Sequence, residues 1–220
     1  MRDLLKDLPQ YAALITATIA ISLFLIKEFI ELKRKRKKEK KDIKSVRFIG
    51  CMEAFGIMHQ IKFFMEFSEK IKGAYRLDLI MSPNQLWKQI RILYPDGNKA
   101  YVTIPNFPKK FDNAFLLEAI KISSSLLAPL DNLNLAIDAM SKSIDICVDS
   151  TSKNDVNTLA TVSELMAKGD DEMVVCMLPF IYEFEKEINH IPSYKKLWLE
   201  IKEHYKYKPN VNWSLSFWWS

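Results

Sequence analysis

The sequence predicts a mainly α protein, with a single N-terminal transmembrane helix followed by a cytosolic multi-helix bundle that holds at most one short β-hairpin. Three observations predict it. Residues Tyr11 to Ile26 are sixteen in a row without a charge, nine Lys/Arg crowd into Lys33 to Lys44, and apolar residues beyond that recur mostly at three- and four-residue steps between readable helix caps. The expected segments are a short extracytoplasmic N-terminus (1–10), a transmembrane helix (11–30), a polybasic juxtamembrane segment (31–44), a helical cytosolic domain (45–207) and an aromatic C-terminal tail (208–220).

Sixteen helical residues reach only ~24 Å, short of the ~30 Å hydrocarbon core. Continuation through Lys27 and Glu28 recovers the length, because Lys27 snorkels while Phe29, Ile30 and Leu32 add apolar surface. Pro9 falls near the first turn, where its missing N–H costs little. A cleaved signal peptide is the competing reading. It is disfavoured because Arg2 and Lys6 are balanced by Asp3 and Asp7, and Ala17-Thr18-Ile19-Ala20 offers no convincing cleavage site. The basic block, with Lys33, Arg34, Lys35, Arg36, Lys37 and Lys38 at its head, orients the chain with its N-terminus out and its C-terminal domain in the cytosol.

That block carries nine basic and two acidic residues, net +7, whereas the whole chain is +5, so the remainder is slightly acidic. The positive charge is local. A globally basic nucleic-acid-binding domain is not expected, and the block reads instead as a contact with anionic lipid headgroups worth ~1 kcal/mol per basic residue. Within the span, Ala12, Thr16 and Ala20 share a four-residue spacing, as do Ala13 and Ala17. A small-residue face of this kind lets helices approach closely, so self-association is one expectation and a lipid-facing half-turn is the other. The Lys- and Ile-rich, Gly-poor composition favours a bacterial inner membrane.

Val46, Ile49, Cys51, Met52, Phe55, Met58, Ile61, Phe64, Met65 and Ile71 predict a long helix ending near Gly73, continuous with the anchor through the basic stretch. Two readings compete between 74 and 108. Ser82-Pro83 resembles an N-cap with a first-turn proline, favouring a helix over 83–93; the alternation Ile90, Ile92, Tyr94 before the turn Pro95-Asp96-Gly97-Asn98 suggests a hairpin. Tyr101 to Ile104 is extended in either case. Asp112 or Asn113 then caps a helix to Leu127 that Pro129 ends. Asp131 or Asn132 opens another to about Val148, with Leu133, Ile137, Met140, Ile144 and Cys147 inward. Asn154 or Asp155 caps a helix burying Leu159, Val162, Leu165 and Met166 and closed by Gly169. Asp170, Asp171 and Glu172 load the start of a helix from Met173 to Asn189 that Pro179 kinks or divides, and Ser193 begins the last, to about Tyr205. The apolar run Met173 to Tyr182 is too short for a second span and is expected in the core.

The tail places Trp213, Trp218 and Trp219, three of the five tryptophans, in the last eight residues, with no charge after Lys208. Covering an apolar groove on its own bundle, returning to the inner leaflet as a membrane contact, and binding a partner are the three readings.

Chemistry is sparse. Cys51, Cys147 and Cys176 are scattered and odd in number, so no disulfide framework is implied, and none has zinc-site spacing with His59, His190 or His204. Asp138, Asp145 and Asp149 recur at seven and four on one helix, where a solvated face is favoured over an ion or acid–base site. Ser123 to Ser125 form a helical serine run without elbow glycines, and there is no Gly-rich phosphate loop. No cofactor or metal is expected, and an enzyme is disfavoured. The functional expectation is a membrane-anchored scaffold or recruiting protein whose partners are the anionic bilayer and a protein or a second copy. A ligand-responsive membrane effector of defence or toxin type is the alternative, and an enzyme resting on the three aspartates comes last.

Overall fold

The computed structural model describes the backbone of residues 2–84, 86–167 and 172–207, and side chains within these from Thr16 onward except at 172 and 173. It comprises two compact units, Met1–Ser45 and Val46–Ser220. One helix, α1 (Arg2–Lys70), runs through the first and into the second. Lys, Arg and Glu favour helix, and no glycine occurs before Gly50. The helix stops ahead of Gly73, whose φ of +76° is open to glycine at little cost.

Among the described residues, no helix is long and apolar enough to cross a membrane. The apolar run contributes described side chains only from Thr16 to Ile26, about 16 Å of helix against a ~30 Å hydrocarbon core. Residues 11–15, including Ala12 and Ala13, lie outside the described side chains. The transmembrane part of the expected fold is thus without support from the described helix.

A three-stranded antiparallel meander follows, β1 (Arg76–Met81), β2 (Lys88–Leu93) and β3 (Lys99–Thr103), in that spatial order. This corrects the expected helix over 83–93 and the limit of one hairpin. Ile90 and Ile92 are fully buried and pair across the sheet with Val102 and Ala100, so period two prevails over the helical stripe. Ser82 does hydrogen-bond locally, but in a turn. Its Oγ accepts from the Trp87 N–H at 3.2 Å and bonds Asn84 Oδ1 at 2.6 Å, closing the β1–β2 hairpin and leaving Leu86 and Trp87 exposed. On the outer face Asp78 receives Arg91 at 2.6 Å and Arg76 at 3.1 Å. Gly97, at φ +83°, makes the second turn.

The connection from 104 to 112 has no regular structure, yet it is tied at three points. Glu53 Oε2 accepts the Lys109 N–H at 2.7 Å, and Pro108 lies where a Cβ on Gly56 would come within 2.8 Å. The Asn134 amide accepts from the Phe111 N–H at 2.8 Å and donates to its carbonyl at 3.0 Å.

Asp112 caps α2 (Asn113–Ile122), accepting from the Phe115 N–H at 2.7 Å. A single 3₁₀ turn (Ser124–Leu126) leads to α3 (Leu127–Ser152). Pro129 therefore does not end a helix: it sits in the first turn of α3, where no intrahelical N–H is required. The serine run likewise divides, with Ser123 extended and Ser124–Ser125 in the 3₁₀ turn. Leu133, Ile137, Met140, Ile144 and Cys147 are buried as expected. Asp155 caps α4 (Val156–Ala167), and Asn154, at φ +54°, accepts the Leu77 N–H at 2.8 Å, tying this turn to β1. Leu165 is exposed, against expectation, while Leu159, Ser163 and Met166 face in. Gly169 to Asp171 lie outside the described residues.

The expected helix over 173–189 is two, α5 (Glu172–Tyr182) and α6 (Glu185–Ile188). Pro179 stays within α5 and the break falls four residues later, where its carbonyl accepts the Glu183 N–H. Finally α7 (Pro192–His204) centres on Trp198, fully buried, with Nε1 donating to Glu185 at 2.9 Å.

Candidate functional site

In the first unit, Leu23, Phe24, Leu25 and Ile26 are all about 55–62% exposed. Successive helical residues turn by about 100°, so four in a row cover every direction around the axis. Ile19 and Ile21 are exposed as well, making α1 apolar on all sides from Ile19 to Ile26, and Phe29, Ile30 and Leu32 continue the exposed apolar surface between Lys27, Glu28 and Glu31. Lys33, Arg34, Lys35, Arg36, Lys37 and Lys38 follow as exposed side chains. Thr16 and Ala20 share a face by their four-residue spacing, with Ala17 beside it, and all three are exposed.

The second unit begins with a clamp. Arg47 is bidentate to Glu187, Nε to Oε1 at 2.8 Å and Nη2 to Oε2 at 2.9 Å, and also donates to the Glu183 carbonyl. Its guanidinium lies 5.3 Å from the Phe184 ring, which in turn presses on Gly50, where a Cβ would approach it to 2.3 Å. The hydrogen bond with Glu187 holds the Arg47 cation above its already high range. Burial works to raise the Glu187 carboxyl, but the bonds and charge of Arg47 outweigh it and hold the group below the usual carboxylate range. Burial pushes the neighbouring Cys51 thiol up to about 11.

On another side of the same unit, a cleft of about 510 Å³ opens between α1, β3 and α7. Phe55, His59, Lys62, Phe63 and Glu66 come from one face of α1; Tyr101, Val102, Thr103 and Pro105 from β3 and its continuation; Ser193, Lys196, Leu197 and Glu200 from α7. Phe55 stacks on Tyr194 and meets His59 edge-on at 4.4 Å. Lys62 bridges Glu200 at 3.0 Å and Glu66 at 3.8 Å. Two lysines and two glutamates leave the cleft without net charge once His59 is neutral. Burial, with Lys62 adding to it, lowers the His59 pKa and favours that neutral form. The arrangement suits an uncharged ligand with apolar side chains.

The sequence-based candidates are not gathered here. Asp138 is ion-paired with Lys110, Asp149 with Lys153 at 2.6 Å, and Asp145 is exposed. Among the described residues, no group of His, Cys, Asp and Glu is placed to hold a metal. Trp213, Trp218 and Trp219 lie outside the described residues. The cleft has no signature of its own in the sequence. The spacing of Phe55, His59, Phe63 and Glu66 puts them on one helical face, but nothing local announces that β3 and α7 would wall it. Compared with protein-family models, curated proteins and solved structures, the chain matches none.

Proposed function

We propose that the chain is a single-pass membrane-anchored scaffold, presenting its helical domain at the cytosolic face of a membrane with anionic headgroups and recruiting a protein partner or a second copy. The observation that carries the reading is the uncharged stretch Ile19 to Ile26, apolar around its whole circumference, which Phe29, Ile30 and Leu32 extend past Lys27, Glu28 and Glu31 to the basic block. Nine large apolar side chains half exposed to water stand to gain on the order of 10 kcal/mol by burial in hydrocarbon. A helix apolar on all sides belongs in lipid or in a protein core, and Ile19, Ile21 and Leu23 to Ile26 stay more than half exposed among the described residues. Six consecutive basic residues beyond it favour anionic headgroups on the cytosolic side. With Ala12 and Ala13, the small residues Thr16, Ala17 and Ala20 supply a face for helix association in that setting.

Fractionation tests the proposal. The full chain should remain with membranes through alkaline carbonate extraction, and Leu23→Arg together with Phe24→Arg should release it. Release of the native chain by carbonate would refute an integral anchor.

A further inference from the structure

We infer that the open edge of β3 receives an extended, uncharged segment of a recruited protein, which adds to the sheet as a fourth strand and seats apolar side chains in the cleft between α1, β3 and α7. The inference rests on the recruiting part of the function proposed above. It is independent of the anchor: release of the chain by carbonate would leave it standing, and failure to bind a peptide would leave the anchor untouched.

The edge is set by hydrogen-bond parity. Tyr94 N–H donates to the Asn98 carbonyl at 3.1 Å and Ile104 N–H to the Lys88 carbonyl at 3.0 Å. Alternate residues of an antiparallel strand bond the same neighbour, so the even-numbered positions 98 to 104 face β2. Lys99, Tyr101 and Thr103 direct their N–H and C=O groups away from the sheet, and among the described residues no strand pairs with that side of β3. The next outward position is Pro105, which has no N–H and ends the run. Lys70 Nζ reaches the Tyr101 carbonyl at 3.4 Å, longer than a well-formed bond and from a flexible side chain, so an incoming N–H can displace it.

The chemistry of this edge decides what can fill it. Outward donors and acceptors repeat every ~7 Å, two residues of strand. Another extended backbone matches that repeat, whereas a helix has its groups satisfied internally and a lipid tail has none to offer.

The cleft supplies the rest of the fit. Tyr101, Val102 and Thr103 line it, so the edge opens into it, and Phe55, Phe63 and Leu197 give it apolar walls. Lys62, Lys196, Glu66 and Glu200 balance in charge, which matches a neutral segment better than an acidic or basic one. A folded second copy fits poorly. Its own β3 edge is flanked by α1 and α7, and these would have to enter the space that the added strand needs. A single extended segment brings no such walls, and is held by backbone bonds for affinity and alternate side chains for selectivity.

Amide-resolved hydrogen exchange on the full chain in detergent micelles tests this, with an acetylated and amidated hexapeptide of alternating threonine and valine as the probe. At ~1 mM peptide, enough to fill a site of sub-millimolar Kd, the Tyr101 and Thr103 amides should exchange at least ~10-fold more slowly, and the Ile90 and Ile92 amides should not change. Replacing the valines by glutamate should abolish the effect. Backbone N–H groups of alternate residues point to opposite edges, so of two peptides N-methylated at the valines or at the threonines, one should retain the slowing and the other lose it. Thr103→Pro removes an outward N–H while Val102 and Ile104 keep the bonds to β2, so the peptide should no longer slow Tyr101 in that variant. Exchange unaffected by the neutral peptide, equal slowing by the glutamate peptide, or the same result from both methylated peptides would each overturn the inference. Slow exchange of Tyr101 and Thr103 without peptide would mean an edge already filled, by a second copy if dilution releases it and by the chain itself if not; either result also overturns it.

Discussion

Gln60 should be improved by losing its amide. It lies on the inward face of α1 beside Ile57, Ile61 and Phe64, is fully buried, and neither Nε2 nor Oε1 has a hydrogen-bond partner among the described residues. A buried polar group left unpaired costs ~1–3 kcal/mol of desolvation. Methionine has nearly the same reach, is unbranched, and fills irregular space without asking for a hydrogen bond. Gln60→Met should therefore stabilise the domain by ~1–3 kcal/mol, which for a domain of this size raises Tm by roughly 2–10 °C. Gln60→Glu should do the reverse at neutral pH, because a carboxylate there must either ionise unpaired or remain protonated against its normal pKa. Urea and thermal unfolding of the full chain in mild detergent, followed by far-UV circular dichroism, gives both values. A Gln60→Met chain less stable than the native one by more than ~1 kcal/mol would refute the reasoning, since it would mean that the amide is bonded in solution.

The Arg47–Glu187 clamp should show in the acid limb of stability. Glu187 is held below its ordinary pKa, so its contribution is complete above the unfolded value of ~4.3 and is lost as pH falls through the lower folded value. Glu187→Gln should cost ~1–3 kcal/mol at pH 7 by leaving a partly buried guanidinium without its counter-charge, and should flatten the fall in urea midpoint between pH 5 and pH 2. An unchanged acid slope would remove the clamp from the account. Thiol labelling reports the interior more directly: burial holds Cys51 protonated to about 11 and Cys147 to about 12, so iodoacetamide at pH 8 should spare both in the folded chain and modify the half-buried Cys176 first. Rapid loss of the Cys51 thiol without denaturant would contradict its packing under the clamp.

The helices were legible where capping and period agree. Asp112 and Asp155 cap as their side-chain chemistry suggests, and α3 buries the five residues its spacing singled out. Misreading came where one local signal serves two structures. Ser82-Pro83 satisfies backbone donors equally in a tight turn and at a helix start, and Pro129 is as acceptable inside a first turn as beyond a last one. β1 gave little warning because its apolar face is made of leucines rather than β-branched residues, and its burial depends on α3 lying across it. Ile49 and Met52 fit the helical stripe yet are exposed: the stripe is broader than the surface available to cover it. The cleft could not be read at all, because each wall comes from a segment tens of residues from the next.

The irregular connection from 104 to 112 behaves mechanically as a brace. It is fastened to α1 through Glu53 and Gly56 and to α3 through Asn134, whose amide imitates a neighbouring strand by meeting both backbone groups of Phe111. Neither aspartate nor leucine offers that donor–acceptor pair, so the position demands asparagine more strictly than its half-exposed location suggests. An insertion here, where loops are ordinarily permissive, would pry at two helices and at Pro105 on the rim of the cleft. This irregular stretch is thus one of the places in the domain where the sequence has little freedom.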